Sequence, residues 1–256
     1  MSWPGNTFLA HLGAGVDLVR PHLRRVSLSP GQVLYEPGQL VRTVYFLEAG
    51  VVSKLALFED GTEIECALIG REGAIGAMSA LGLRTAITRD VCHMRAPALT
   101  VETARLAEAA GRCMSLRAAL DRYCAFKMSH AIRNGACNAR HPVEQRLCRW
   151  LLTCADVLES DDIRLPQDLF AKMLGAQRTS VNPILGRLRE DGLIALARSR
   201  VTLLRRSQLA ARSCECYAQL RQLEASMWPV TRARSAAAEY PPSAARMAPQ
   251  GRRAAV

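Results

Sequence analysis

Aromatic residues are scarce in this chain: Phe, Tyr and Trp together make up 5% of its 256 residues. A core of ordinary size must therefore rest on Leu, Ile, Val, Ala and Met. No stretch approaches the ~20 apolar residues that span a bilayer. The first 25 residues, MSWPGNTFLAHLGAGVDLVRPHLRR, lack the basic start and continuous apolar run of a secretory signal. These absences point to a cytoplasmic protein with no membrane partner, whose nine cysteines stay reduced. Most of those cysteines fall at apolar positions of predicted helices, as small core residues do.

Catalytic patterning is missing as well. The histidines, His11, His22, His93, His130 and His141, are scattered, with no nucleophile or paired carboxylate beside them in a recognisable motif. No glycine-rich loop precedes a helix to cradle phosphate, because Gly70 to Gly76 leads from strand into strand-like sequence. The expectation is a chain that is not an enzyme. Metal binding by Cys214, Cys216 and a distant His141 lacks paired ligand spacing, so no metal or cofactor is expected.

What the chain has is positive charge. Lys plus Arg outnumber Asp plus Glu by 34 to 23, a formal net charge of +11, and such a balance favours a polyanionic partner, nucleic acid first. Part of that charge belongs to the carboxyl-terminal end. Beyond Met227 the composition turns to Ala, Pro, Arg and Ser with almost no large apolar residue, and 227–256 reads as a disordered tail.

From Ser27 to about Glu102 the sequence alternates strand-length apolar runs with turn residues. Val33 to Tyr35, Thr43 to Leu47, Val51 to Phe58 and Glu63 to Ile69 are separated by Glu36-Pro37-Gly38, Glu48-Ala49-Gly50 and Glu59-Asp60-Gly61-Thr62. Regular spacing of this kind indicates an all-β sandwich or roll. The pattern then changes. Met114 to Arg140 carries Leu116, Leu120, Cys124, Met128, Ala131 and Ile132 at helical spacing with no internal proline, a long helix suited either to a dimer seam or to packing on its own domain. His141-Pro142 ends it. A second helix follows, with Val143, Leu147, Leu151, Cys154 and Leu158 on one face.

Pro166 to Gly192 carries the chemistry. Leu169, Phe170, Met173 and Leu174 form the apolar face of a short helix that Gly175 ends. Gln177-Arg178-Thr179-Ser180 opens the next helix with polar residues suited to capping. Val181, Ile184, Leu185 and Leu188 point back to the core. Two short helices about a tight glycine turn are the helix-turn-helix signature. Base edges are met near the start of the second helix. Arg178 can donate twice to a guanine, Asn182 suits adenine, and Thr179 and Ser180 can reach bases or phosphates. After Gly192 a hairpin around Arg198-Ser199-Arg200 forms a candidate wing, and Arg187, Arg189, Arg205 and Arg206 add phosphate contacts. Pro183 disagrees, since proline inside a helix costs ~3 kcal/mol; the helix is expected to start late or to bend.

The order of these pieces resembles the Crp/Fnr family of bacterial regulators over most of 27–217. The carrying segments are LSPGQVLYEPGQLVRTVYFLEAGVVS, EDGTEIECALIGREGAIGA, ACNARHPVEQRLCRWLL, LFAKMLGAQRTSV, RSRVTLL and Cys214-Glu215-Cys216-Tyr217. The resemblance implies an α+β fold: a jelly-roll-like, cyclic-nucleotide-binding-like β-roll sensor over 1–113, a dimerisation helix over 114–140, and a winged helix-turn-helix over 141–217. It implies a homodimer on a twofold-symmetric double-stranded DNA operator, with RNA polymerase as a candidate partner. In nucleotide-binding members a Gly-Glu pair grips the ribose and a later Arg-Ser or Arg-Thr grips the phosphate. Here Gly73-Ala74-Ile75-Gly76-Ala77 places Ala77 where the glutamate belongs, Arg84-Thr85 comes early, and Arg89 comes late. These residues are the ligand-pocket candidates, for a ligand other than cyclic AMP. The amino-terminal cysteine cluster of the oxygen-sensing branch has no counterpart before Cys66. Thr179 replaces a frequent glutamate and Pro183 an arginine, so the operator should depart from the best-known consensus. Two alternatives use the same fold: a thiol-redox switch at Cys214 and Cys216 or Cys137, and a cyclic-nucleotide-responsive regulator.

Overall fold

The short apolar runs between 24 and 102 form eight strands in the computed structural model, which describes residues 5–12, 15–165 and 167–227. The strands are β1 (Arg24–Leu28), β2 (Val33–Tyr35), β3 (Thr43–Leu47), β4 (Val52–Leu57), β5 (Glu63–Ile69), β6 (Ala74–Ile75), β7 (Arg89–Cys92) and β8 (Ala96–Glu102). They pair antiparallel into two four-stranded sheets, β1-β8-β3-β6 and β2-β7-β4-β5. Leu28, Leu34, Leu47, Val52, Ile69, Ile75 and Cys92 pack between them. This is the expected β-roll. The strand that begins before Ser27 and those at 89–102 carry no distinct signal in the sequence.

Three helices cover one sheet: α1 (Thr7–Ala10), α2 (Gly15–Val19) and α3 (Thr103–Arg112). Phe8, Leu9, Leu12, Val19 and Leu106 join Val44, Phe46 and Val101 in a second core. Asn6 pins the amino end. Its side-chain amide donates to the carbonyls of Leu47 and Gly73, each at 2.9 Å, and its oxygen accepts from Leu9 N–H.

The long helix α4 (Met114–Arg140) and α5 (Val143–Leu158) have the expected bounds, with His141 and Pro142 between them. The apolar stripe of α4 is not one face, however. Leu116 and Leu120 are fully buried, Cys124 is half-buried, and Met128 and Ile132 are exposed. Residues four apart drift by about 40° per step on a helix of 3.6 residues per turn, so the stripe winds from the roll into solvent.

The carboxyl-terminal part comprises β9 (Asp162–Ile163), α6 (Gln167–Leu174), α7 (Arg178–Glu190), β10 (Ile194–Ala197), β11 (Arg200–Leu203), α8 (Arg206–Arg212) and α9 (Cys216–Met227). Its third sheet has the order β10-β11-β9. Its core is shared with the roll: Val51, Leu55 and Leu68 pack with Leu147, Leu151, Phe170, Met173 and Leu185. Polar contacts cross the same seam. Trp150 Nε1 donates to Glu65 at 2.7 Å, and Lys172 pairs with Glu63 at 2.9 Å. The tail expected at 227–256 lies, beyond Met227, outside the described residues, as does Pro166.

Candidate nucleic-acid interface

Helix α6 ends where Gly175 takes φ +54°, a left-handed backbone that favours glycine. A side chain there would also meet Ile64 of the roll, whose Cδ1 lies 3.1 Å from the place a Cβ would take. Ala176 and Gln177 complete the turn and α7 starts at Arg178. Val181, Ile184, Leu185 and Leu188 are all buried against α5 and α6, so the opposite face must look outward. Gln177, Arg178, Thr179, Ser180 and Asn182 are all exposed.

Two local expectations are corrected. Gln177 caps the helix through its carbonyl, which accepts from Ser180 and Val181 N–H, and not through a side chain. The helix does not start late: it runs unbroken from Arg178 past Pro183 to Glu190. Pro183 is exposed, so the helical bond it forfeits leaves a carbonyl in water rather than in the core, which lowers the penalty.

The wing is a two-residue hairpin. Ala197 pairs with Arg200, and Ser199 takes φ +56° at the tip beside Arg198. Several arginines around this face hold surface carboxylates: Arg187 with Glu144 at 2.9 Å, Arg200 with Asp162 at 3.0 Å, and Arg212 with Asp191 at 2.6 Å. Such exposed pairs are worth at most about 1 kcal/mol, so phosphates can replace the carboxylates. Arg206 differs. It binds both Asp156 and Asp161, and these ties bind α8 to the end of α5 and the loop after it.

Residues 145–212 match a family model described as a Crp-like helix-turn-helix domain. A global nitrogen regulator of Nostoc sp. (strain PCC 7120 / SAG 25.82 / UTEX 2576) is 26% identical over 187 residues, which are 67% of this chain and 81% of the relative. The matched segment is a Crp-like helix-turn-helix domain, and the chain is similar to regulators of the Crp/Fnr type. FixK2 from Bradyrhizobium japonicum shares the fold of this chain, with a TM-score of 0.67 and 17% identity over 75% of this chain and 98% of that one. So does a CRP-family transcriptional regulator of Thermus thermophilus, with a TM-score of 0.64 and 24% identity over 73% and 96% of the two chains. The protein is a transcription regulator with a helix-turn-helix DNA-binding domain on a cyclic-nucleotide-binding-like roll.

The ligand-pocket candidates of the roll lie in unlike settings. Gly73 is needed for packing: a Cβ would lie 2.4 Å from the Tyr123 hydroxyl, which accepts from Ala74 N–H. Gly76 takes φ +86° and faces the Thr43 carbonyl. Ala77 is buried at the start of a 3-10 turn. Arg84 and Thr85 are exposed, with Thr85 bridged to Leu40. Arg89 is held by Glu36 at 2.9 Å and by Glu63 at 2.8 Å.

Sequence reasoning weighs Cys214, Cys216 and His141 as a metal set, sets it aside for lack of paired spacing, and considers Cys137 only for a redox switch; it misses that all four meet. Their ligand atoms all lie within 4.8 Å of one another. The hydrogen bond with Cys214 holds the Cys137 thiol well below its usual range and raises that of Cys214. The signal is hidden because 77 residues separate Cys137 from Cys214.

Proposed function

We propose that this regulator binds a twofold-symmetric DNA operator as a homodimer, placing the start of α7 in the major groove. The reading rests on one observation above all: the polar residues Gln177 to Ser180 and Asn182 stand exposed on a helix whose other face is locked in the core. Arg178 is assigned to guanine and Asn182 to adenine, with Thr179 and Ser180 on bases or phosphates. Arg187, Arg198 and Arg200 take phosphates, with Arg198 and Arg200 reaching them from the wing.

The dimer is supported by a second face of α4. Met114, Ala118, Asp121, Ala125, Met128, Ile132, Gly135 and Ala139 recur at alternating steps of four and three, and all are exposed. A 3.5-residue repeat of this kind is the seam of paired helices, and its small residues let two backbones approach closely. Asp121 is its only charged member. In this reading 114–140 serves as the dimerisation helix between a sensor roll over 1–113 and a DNA-binding unit over 141–217.

The roll is read as a sensor without the family's nucleotide grip. Ala77 offers no carboxylate for a ribose hydroxyl, and Arg89 already neutralises two glutamates. The protein acts in the cytoplasm as a regulator rather than an enzyme, with RNA polymerase as a partner.

Binding selection from random duplexes tests the reading. The expected product is a symmetric site with half-sites about one helical turn apart. An asymmetric or random pool would refute the dimer on DNA.

A further inference from the structure

Two pairs of chemically soft residues converge where the DNA-binding segment begins and ends. Cys137 and His141 sit one turn apart at the end of α4. Cys214 and Cys216 flank the junction between α8 and α9. Cys137 Sγ lies 3.5 Å from Cys214 Sγ, and Cys216 Sγ lies 3.7 Å from His141 Nδ1. The three cysteines are buried together, and His141 is half-buried. We propose that Cys137, His141, Cys214 and Cys216 form a tetrahedral Cys3His site for one zinc ion, which clamps the DNA-binding segment to the dimer helix.

Three independent features carry this assignment. The first is geometry. With zinc–sulfur bonds of about 2.3 Å, the corners of a tetrahedron lie about 3.8 Å apart, and both of these donor separations fall close to that value. Donors this close surround a single ion; a multi-iron cluster needs ligands spread around a larger body. Three sulfurs and one imidazole suit zinc, and with all four positions taken by protein the site is structural.

The second is the orientation of the imidazole. Nε2 of His141 lies 3.1 Å from a Glu215 carboxylate oxygen. That contact keeps the proton on Nε2 and turns the Nδ1 lone pair toward the sulfurs, as carboxylate partners do for zinc-bound histidines. Glu215 lies between two of the cysteines, so one short segment supplies two ligands and the orienting group.

The third is charge. Arg146 and Arg149 are buried beside the cluster; among the described residues neither forms a salt bridge, although Arg149 lies within electrostatic reach of the buried Glu65. Arg149 donates to Asn134 Oδ1, and Arg146 to Asn138 Oδ1 and the Leu174 carbonyl; both Nε groups lack an acceptor among the described residues. Buried charges are expensive without a counter-charge. Zinc with three thiolates and a neutral imidazole carries one net negative charge, which the two guanidinium groups can balance. On binding, the three thiol protons pass to solvent.

The ligands bracket 141–217: His141 stands at its start, Cys214 and Cys216 close to its end, and Cys137 on the helix proposed as the dimer seam. An ion held by all four would fix the root of the helix-turn-helix relative to the twofold axis.

The test is metal analysis of the full chain purified anaerobically without chelators, independent of any DNA binding. The expected result is about one zinc per chain. Replacement by cobalt should give the intense visible bands of a tetrahedral ion and thiolate-to-metal charge transfer. Cys137→Ser, Cys214→Ser and Cys216→Ser should each lose zinc about tenfold or more, while Cys66→Ser, outside the cluster, retains it. Wild-type stoichiometry and the cobalt spectrum need no variant, so poor folding of a serine mutant leaves the test intact. A chain that holds no zinc after equilibration with the ion, zinc retained when Cys137 and Cys214 are both serine, or an octahedral cobalt spectrum would overturn the site. A Cys137–Cys214 disulfide in the anaerobic preparation would overturn it too, and would return these thiols to a redox role.

Discussion

His130 makes the joint between the long helix and the rest of the chain sensitive to acid. It is buried on α4 between Phe126 and Asn134. Burial, and then the charges of Lys127 and Arg149, push its pKa down from 6.5 to about 3. The folded chain therefore keeps this imidazole neutral, whereas the unfolded chain protonates it below pH 6.5. Its contribution to stability is complete above pH 6.5 and is lost as the pH falls toward 3. Each pH unit in that window costs about 1.4 kcal/mol, so about 2 kcal/mol is gone by pH 5. Against a typical total of ~5–15 kcal/mol this is a large share. His93, held down to about 4 by burial, adds a slope of the same sign, and buried Glu65, pushed up by burial, adds one of the opposite sign. A difference curve isolates His130. Urea unfolding of wild type and His130→Gln, measured from pH 7 to pH 5, should show the wild type losing about 2 kcal/mol more than the variant. Parallel pH profiles, or an imidazole resonance of His130 titrating near 6.5, would refute the reasoning.

Two further outcomes test the DNA-binding reading. Arg178→Ala should relax preference at one base pair of the selected operator and cost ~1–3 kcal/mol; equal weakening at every sequence would make Arg178 a phosphate contact. Ile132 is 66% exposed in the single chain, and covering it in both subunits of a dimer contributes roughly 2–4 kcal/mol. Ile132→Glu should therefore raise the dimer dissociation constant by at least about 30-fold in sedimentation, and an unchanged dimer would move the seam off this face of α4.

Local periodicity carries sequence reasoning furthest where each element needs only its own residues. Val181, Ile184, Leu185 and Leu188 specify the buried side of α7 without knowledge of their partners, and the glycine at 175 marks the turn by its backbone alone. Sequence is a weaker guide where burial depends on what lies opposite. The stripe from Leu116 to Ile132 looks uniform because all its members are small or apolar, yet only the first half meets the roll. Gly73 and Gly76 look like a ligand loop by position. The reason for Gly73 becomes clear only when Tyr123 of α4 is seen to occupy the space of its missing side chain. The cysteine-histidine cluster is the least legible, since it is assembled from segments that meet only after α5 to α8 have folded between them.

The same packing limits how α7 can move relative to the roll. Helix α6 is bolted to β5 by the Lys172–Glu63 pair and by Ile64 against Gly175, while Trp150 of α5 reaches Glu65 on the same strand. Helix α7 rests on α5 and α6, so it cannot turn relative to the roll unless those contacts break or β5 moves with them. At the other end, Tyr217 and Arg221 of α9 bind Asp156 of α5, and the sulfur cluster joins α9 to α4. The DNA-binding unit is thus fixed at two places, one on the roll and one on α4. A ligand that shifts β5 strains the first attachment directly, whereas a change in the state of Cys137, Cys214 and Cys216 acts on the second without touching the roll. These are two separable inputs to the position of α7, distinguishable because Glu63 serves only the first and His141 only the second.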